Sequence, residues 1–181
     1  MQAKDGDNGY GWVSIVLHWG IAIFIIYQLF SGSSIEDAPT EAAELPLILS
    51  HISTGALAFL FIFARIAWRF NQGEQDLPPA PKAISLLARW VPRLLLVGIA
   101  TLIITGPLHV WSKGFDIQVF DLFTVPSPIA ETHWLHELTE EMHEFAAKSV
   151  FILIILHILG GLKHLIVDKD GVMQRMLTPR K

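Results

Sequence analysis

Four stretches of the chain are almost wholly apolar, roughly residues 13–30, 47–68, 94–111 and 145–167, and polar segments separate them. Each is long enough, at about 1.5 Å of rise per helical residue, to cross a hydrocarbon core about 30 Å thick. Lipid offers backbone N–H and C=O groups no partners, so a spanning segment must satisfy them internally, and the alternating period of a barrel strand is absent. The pattern predicts an all-α membrane protein, a single transmembrane domain over residues 1–181 built as a four-helix bundle.

The polar segments carry their own signals. Leu77-Pro78-Pro79-Ala80-Pro81 is a stiff spacer that stops any helix running on from Arg69, and residues 82–93 read as an amphipathic interfacial turn leading into the third helix. The connection over residues 112–142 is the longest; Pro126-Ser127-Pro128 marks a turn, residues 132–142 are helix-prone, and the whole is expected to roof the outer end of the bundle. Ahead of the first segment, Lys4 stands against Asp5 and Asp7, a poor leader for secretion. Cleavage near Ser31-Gly32-Ser33 would discard His18, so the segment reads as an uncleaved anchor.

Composition sharpens this picture. A chain of 181 residues with 52% hydrophobic content is too apolar for an ordinary soluble domain and too short for several. The lack of cysteine excludes disulfides, iron–sulfur ligation and covalent haem attachment.

Of 13 Lys and Arg residues, 11 fall in the N-terminal tail, the segment joining helices two and three, or the C-terminal tail. By the positive-inside rule both termini are expected in the cytoplasm. The opposite face is acidic, with Glu36, Asp37, Glu41, Glu44, Asp116, Asp121, Glu131, Glu137, Glu140, Glu141 and Glu144. Such a surface attracts cations or a basic protein and repels small anions, although a merely solvated surface explains it equally. Trp12, Trp68 and Trp90 at one boundary and Trp111 and Trp134 at the other fit aromatic belts. Nucleic acid is not expected as a partner.

Four histidines, His18, His51, His143 and His157, lie inside or at the ends of the apolar segments. An ionisable side chain in hydrocarbon is expensive and marks a functional site by default. His143 and His157 are 14 residues apart, which on a helix returns to within about 40° of one face after a rise of about 21 Å. One zinc ion, with metal–nitrogen bonds of about 2 Å, cannot use both, whereas two haem irons can. Depth then sets the partners: His18 lies in the inner half, level with His157, and His51 is level with His143. The expectation is two b-type haems, each held between two histidines.

Weaker candidates surround these four. Arg65 and Arg69 could pair with propionates of the inner haem or serve as topogenic charges. His164, beside Lys163 at the inner rim, could serve a quinone or simply snorkel to the interface. His109, ending helix three, is an alternative outer ligand to His143, and His133 and His136 read as solvent-exposed. Gly20, Gly55 and Gly161 lie near the ligands, where either a flat macrocycle or ordinary helix packing would want small residues.

The chain resembles the bacterial cytochrome b561 family, four-helix di-haem membrane cytochromes that include superoxide oxidase. The resemblance rests on Tyr10-Gly11-Trp12, Leu17-His18-Trp19, Ser50-His51-Ile52-Ser53-Thr54-Gly55 and Arg65-Ile66-Ala67-Trp68-Arg69. It continues through the 77–81 linker, Thr105-Gly106-Pro107, Met142-His143-Glu144, Leu156-His157, Lys163-His164, Asp168-Lys169-Asp170 and Gln174-Arg175-Met176. It implies the same two ligand pairs, with electrons passing between a periplasmic-side donor and ubiquinone, and a quinone role for His164. Family members often carry a His-His pair where this chain has His164-Leu165, and a histidine where it has Trp90, which bears on the quinone site.

Three functions compete. The first is electron transfer from superoxide or a periplasmic redox protein to ubiquinone, which would make the protein a superoxide:ubiquinone oxidoreductase of the respiratory chain. The scarcity of outer cations other than Lys113 counts against an anionic substrate, though Lys113 and a protonated His109 supply local positive potential. The second is a haem-b membrane subunit for a partner dehydrogenase or cytochrome. The third is a metal or proton transporter using His133, His136, His143 and nearby glutamates.

Overall fold

The computed structural model describes residues 1–6, 9–72 and 78–180. Asp7 and Leu77, singled out above, lie outside the described residues. Helix α1 spans Trp12–Glu36, α2 Glu41–Phe70 and α3 Lys82–Ser112; a short hairpin, β1 Ile117–Val119 and β2 Phe123–Val125, precedes α4, His133–Leu162. A π-helical turn, Lys163–Asp168, and the single turn α5, Val172–Arg175, complete the chain. Among the described residues four helices, α4 with its π-helical turn being one, are long and apolar enough to cross a membrane, and the protein is multi-pass.

Every helix outruns the apolar stretch that predicts it. Hydropathy marks only the part in hydrocarbon, whereas the helix continues until a cap or a proline stops it. Thr40 Oγ1 accepts from Ala43 N ahead of α2. Pro81 precedes α3, so residues 82–93 are the first turns of one 31-residue helix rather than a separate interfacial turn. Thr132 precedes α4, so the helix-prone stretch of the outer connection is the start of α4 itself.

The helices pack as two antiparallel pairs, α1 on α2 and α3 on α4, with α2 also touching α3. Among the described residues the backbones of α1 and α2 stand off from that of α4. Ile21, Ile25, Ala58, Ile62 and Val150 form the buried core, with Ile99, Leu102 and Ile154 against it. Large apolar residues such as Val16, Ile23, Phe30 and Leu60 point outward, as lipid-facing side chains do. The α3–α4 contact is close because Gly98 lies against the fully buried Val150.

Both ends of the chain meet at one face. Gln2 N donates to Arg180 O at 3.1 Å, Arg180 N to Tyr10 O at 3.1 Å, and Trp12 N to Gln2 O at 3.0 Å. Asp5 N donates to Gln72 Oε1 at 3.0 Å, tying the tail to the end of α2. Gly11 is required here: a Cβ would fall 2.1 Å from Ala3 O.

At the opposite face the hairpin pairs Ile117 with Val125 and Val119 with Phe123, and turns through Phe120 at φ 48°. Ser53 Oγ donates to Gln118 O and accepts from Phe120 N, both at 3.0 Å, seating the hairpin on α2. The three-residue strands alternate too briefly for sequence periodicity to reveal them.

A Cβ at Gly98 would lie 2.6 Å from Val150 Cγ2, whereas one at Gly160 meets nothing within 4 Å. Gly98→Ala should therefore destabilise the bundle by about 1–3 kcal/mol through overpacking, and Gly160→Ala should not. Thermal unfolding in detergent checks this; equal stability of the two variants would contradict the packing argument, and Val150→Ala should rescue Gly98→Ala.

Candidate functional site

The stand-off between α4 and the α1–α2 pair is bridged by histidines. His18 of α1 faces His157 of α4 with ring centres 6.0 Å apart, and His51 of α2 faces His143 of α4 at 6.4 Å. All four rings are half-buried. Two imidazoles on opposite sides of one metal ion need two metal–nitrogen bonds of about 2 Å, plus roughly 1.1 Å from each nitrogen to its ring centre, or about 6.2 Å in all. Both separations match, and the backbones stand apart where a flat macrocycle would need room. The residues present therefore fit a haem at either pair.

The outer pair is also oriented. Ser31 Oγ donates to Gln28 O at 3.0 Å, and its lone pair faces His51 Nδ1 at 2.8 Å. Thr105 Oγ1 donates to Thr101 O at 2.8 Å and faces His143 Nδ1 at 3.0 Å. A hydroxyl that gives its proton to the carbonyl behind it accepts from the ring, which corresponds to the tautomer with the proton on Nδ1. The Nε2 lone pair is left for a metal, the arrangement by which metal-binding histidines are held in one tautomer. Gly106 supports this, since a Cβ there would come within 3.4 Å of the His143 ring. Neither Ser31 nor Thr105 was anticipated; the signal was a hydroxyl in an apolar helix at the depth of a histidine on a neighbouring helix.

The glycines near the ligands divide between the two explanations offered for them. A Cβ on Gly55 would fall 2.8 Å from Gln28 Nε2, so Gly55 admits the amide that donates to His51 O at 3.1 Å and accepts from Thr54 Oγ1 at 2.8 Å. Gly20 faces open space, and Gly161 packs on Met173.

At the inner pair, His18 lies edge-on to Trp19, whose Nε1 donates to Met176 O at 2.9 Å. The Arg65 guanidinium is close enough to act electrostatically on His18 and donates to Ser14 O at 3.2 Å. Arg69 donates to Gln72 O at 3.2 Å. Beyond them the π-helical turn Lys163–Asp168 carries His164. Its Nδ1 donates to Asp170 Oδ2 at 2.7 Å and lies 3.6 Å from Asp168, while Lys163 Nζ donates to Asp168 Oδ1 at 2.8 Å. His164 is thus held in an acidic turn rather than snorkelling, and π-turns of this kind recur at functional sites.

The remaining histidines depart from expectation. His133 is exposed beside Glu137, as anticipated, but His136 is packed against His109 with ring centres 4.2 Å apart. The helix-prone stretch is continuous with the spanning helix, and one of its faces turns inward. His109 accordingly meets His136 and not His51. The set His133, His136 and His143 is not brought together, because each has a different neighbour.

Comparison with known proteins agrees with the resemblance noted in the sequence. The family described as "Prokaryotic cytochrome b561" matches residues 9–179. Cytochrome b561 homolog 2 of Escherichia coli is 30% identical over 98% of this chain and 95% of its own length. Cytochrome b562 of Cereibacter sphaeroides is 25% identical over 96% of this chain and 98% of its own, and a probable superoxide oxidase, CybB, of Yersinia pestis is 21% identical over 95% and 97%.

Asp170 links the inner site to pH. Burial alone would push its carboxyl up, but the hydrogen bonds from His164 Nδ1 and Val172 N hold it below the usual carboxylate range. A depressed carboxylate stabilises the fold fully above its unfolded pKa of about 3.9, and the contribution is lost as pH falls through the lower folded value. Asp170→Asn should imitate that loss at neutral pH. With a hydrogen bond worth about 1 kcal/mol removed, trypsin should cut after Lys169 and Arg175 about fivefold faster; an unchanged rate would show that Asp170 does not hold the tail.

Proposed function

The chain belongs to the prokaryotic cytochrome b561 family of membrane electron-transfer proteins, whose cofactor is b-type haem, and on that footing we propose that it carries two haems and passes electrons between an outer donor and quinone. The inner haem is held by His18 and His157 and the outer by His51 and His143. The observation that carries this reading is the pair of matched histidine contacts, 6.0 and 6.4 Å between rings, at two depths along α4. A haem held by two histidines would supply single-electron exchange at each layer.

The protein's own groups have separate tasks. Ser31 and Thr105 hold the outer imidazoles in one tautomer, and by accepting from Nδ1 they raise ligand basicity. Arg65 and Arg69 receive the propionates of the inner haem. His164, polarised by Asp170 and backed by Lys163, donates to a ubiquinone carbonyl at the inner rim. The density of Lys and Arg near the joined termini supports placing that face in the cytoplasm of the bacterial inner membrane. The outer donor is superoxide or a periplasmic redox protein. The acidic outer surface favours the second, a basic partner, in which case the chain serves as the haem subunit of a larger dehydrogenase or cytochrome assembly.

Replacing His51 or His143 by Ala should remove one component of the reduced α-band and leave the other, and replacing His18 or His157 should do the converse. Difference spectroscopy on purified protein checks this; full haem content in all four variants would contradict the ligand assignment.

Superoxide should reduce the isolated protein, and added ubiquinone should reoxidise it. Absence of reduction, together with reduction by a basic redox protein, would transfer the function to the partner reading. His164→Gln should keep both haem components and slow reoxidation by quinone about a hundredfold, the lower end of the effect of losing a positioned proton donor; unchanged reoxidation would place the quinone elsewhere.

A further inference from the structure

A third histidine contact lies at the outer end of the bundle and takes no part in the scheme above. His109 ends α3, His136 lies in the first turns of α4, and Glu140 follows His136 by one helical turn. The two rings are 4.2 Å apart, against 6.0 and 6.4 Å in the other pairs, too close for a macrocycle between them. Glu140 Oε2 is 3.8 Å from His136 Nε2. One donor atom from each of the three residues lies within 4.8 Å of the other two.

Hydrogen bonding assigns the free nitrogens. His136 Nδ1 is 3.3 Å from His109 O, and a carbonyl only accepts, so Nδ1 carries the proton and the Nε2 lone pair is the atom nearest Glu140. A histidine whose other nitrogen donates to a backbone carbonyl is the usual form of a metal-binding imidazole. His109 Nδ1 is buried and has no hydrogen-bond partner among the described residues. Burying such a nitrogen is unfavourable unless something occupies it. A shared cation would take a lone pair from each imidazole and neutralise Glu140. The neighbouring charges are mixed: Lys113 and His143 act on His109 as positive or titratable groups, and Glu140 as a negative one.

We propose that His109, His136 and Glu140 form a binding site for a divalent transition metal ion of the zinc class. Two imidazole nitrogens and one carboxylate oxygen are ligands such an ion accepts, and three protein ligands leave a fourth position for water. The ion would tie the outer extension of α4 to the end of α3. The acidic outer surface would raise its local concentration. This site does not depend on the haem assignments.

The test is calorimetric titration of ZnCl2 into the purified, haem-loaded, chelator-treated protein. Wild type should bind Zn2+ and gain thermal stability with it, as a ligand specific to the folded state requires. His136→Ala and Glu140→Gln should each weaken binding by about tenfold or more, while His133→Ala should leave it unchanged. Glu140 is half-exposed, so Glu140→Gln decides the matter if His136→Ala does not fold. Failure of wild type to bind Zn2+, unchanged binding in Glu140→Gln, or equal loss in His133→Ala would overturn the proposal, the last by moving the ion to the exposed His133–Glu137 pair.

Discussion

A neutral imidazole has one nitrogen that donates and one that accepts, and within a bilayer neither can turn to water. A histidine at membrane depth is therefore stabilised by partners within the bundle, and those partners shape the packing around it. Ser31 and Thr105 satisfy the donor nitrogens of His51 and His143 because their own protons are already committed to carbonyls one turn back. The two rings face each other with centres 6.4 Å apart, a spacing that suits a shared metal ion, and the backbone of α4 keeps its distance from α1 and α2.

That stand-off is possible because other contacts hold the bundle together. The α3–α4 pair is locked by Gly98 against Val150, and the α1–α2 pair by Ile21, Ile25, Ala58 and Ile62 and by Gln28, which reaches over Gly55 to His51 O and Thr54. At one face the two chain ends hydrogen-bond to each other and to the end of α2; at the other the hairpin is seated on Ser53, two residues from His51. Both histidine layers thus lie between structured caps.

The two faces also differ chemically. One is rich in Lys and Arg and contains the acidic turn that holds His164, while the other is acidic and holds the His109–His136 contact. An electron carrier spanning a membrane needs this kind of asymmetry, since its two partners differ. The charge of a face governs encounter rates and partner choice more than it governs folding.

Spanning helices and intramembrane histidines could be read without coordinates because hydrocarbon imposes two rules that act residue by residue: long apolar runs and few ionisable groups. The facing of His18 with His157 and of His51 with His143 was foreseeable from depth alone, since helical rise converts residue number into height. What the sequence left open was azimuth and local register, which depend on how helices turn about one another. Hence the packing of His136 against His109, the π-helical turn that hands His164 to Asp170, and the facing of Ser31 and Thr105 with histidines are legible only in the fold. Hydropathy fixes the height at which a residue sits; only packing decides what it faces there, because that is a property of two helices and is written in neither alone.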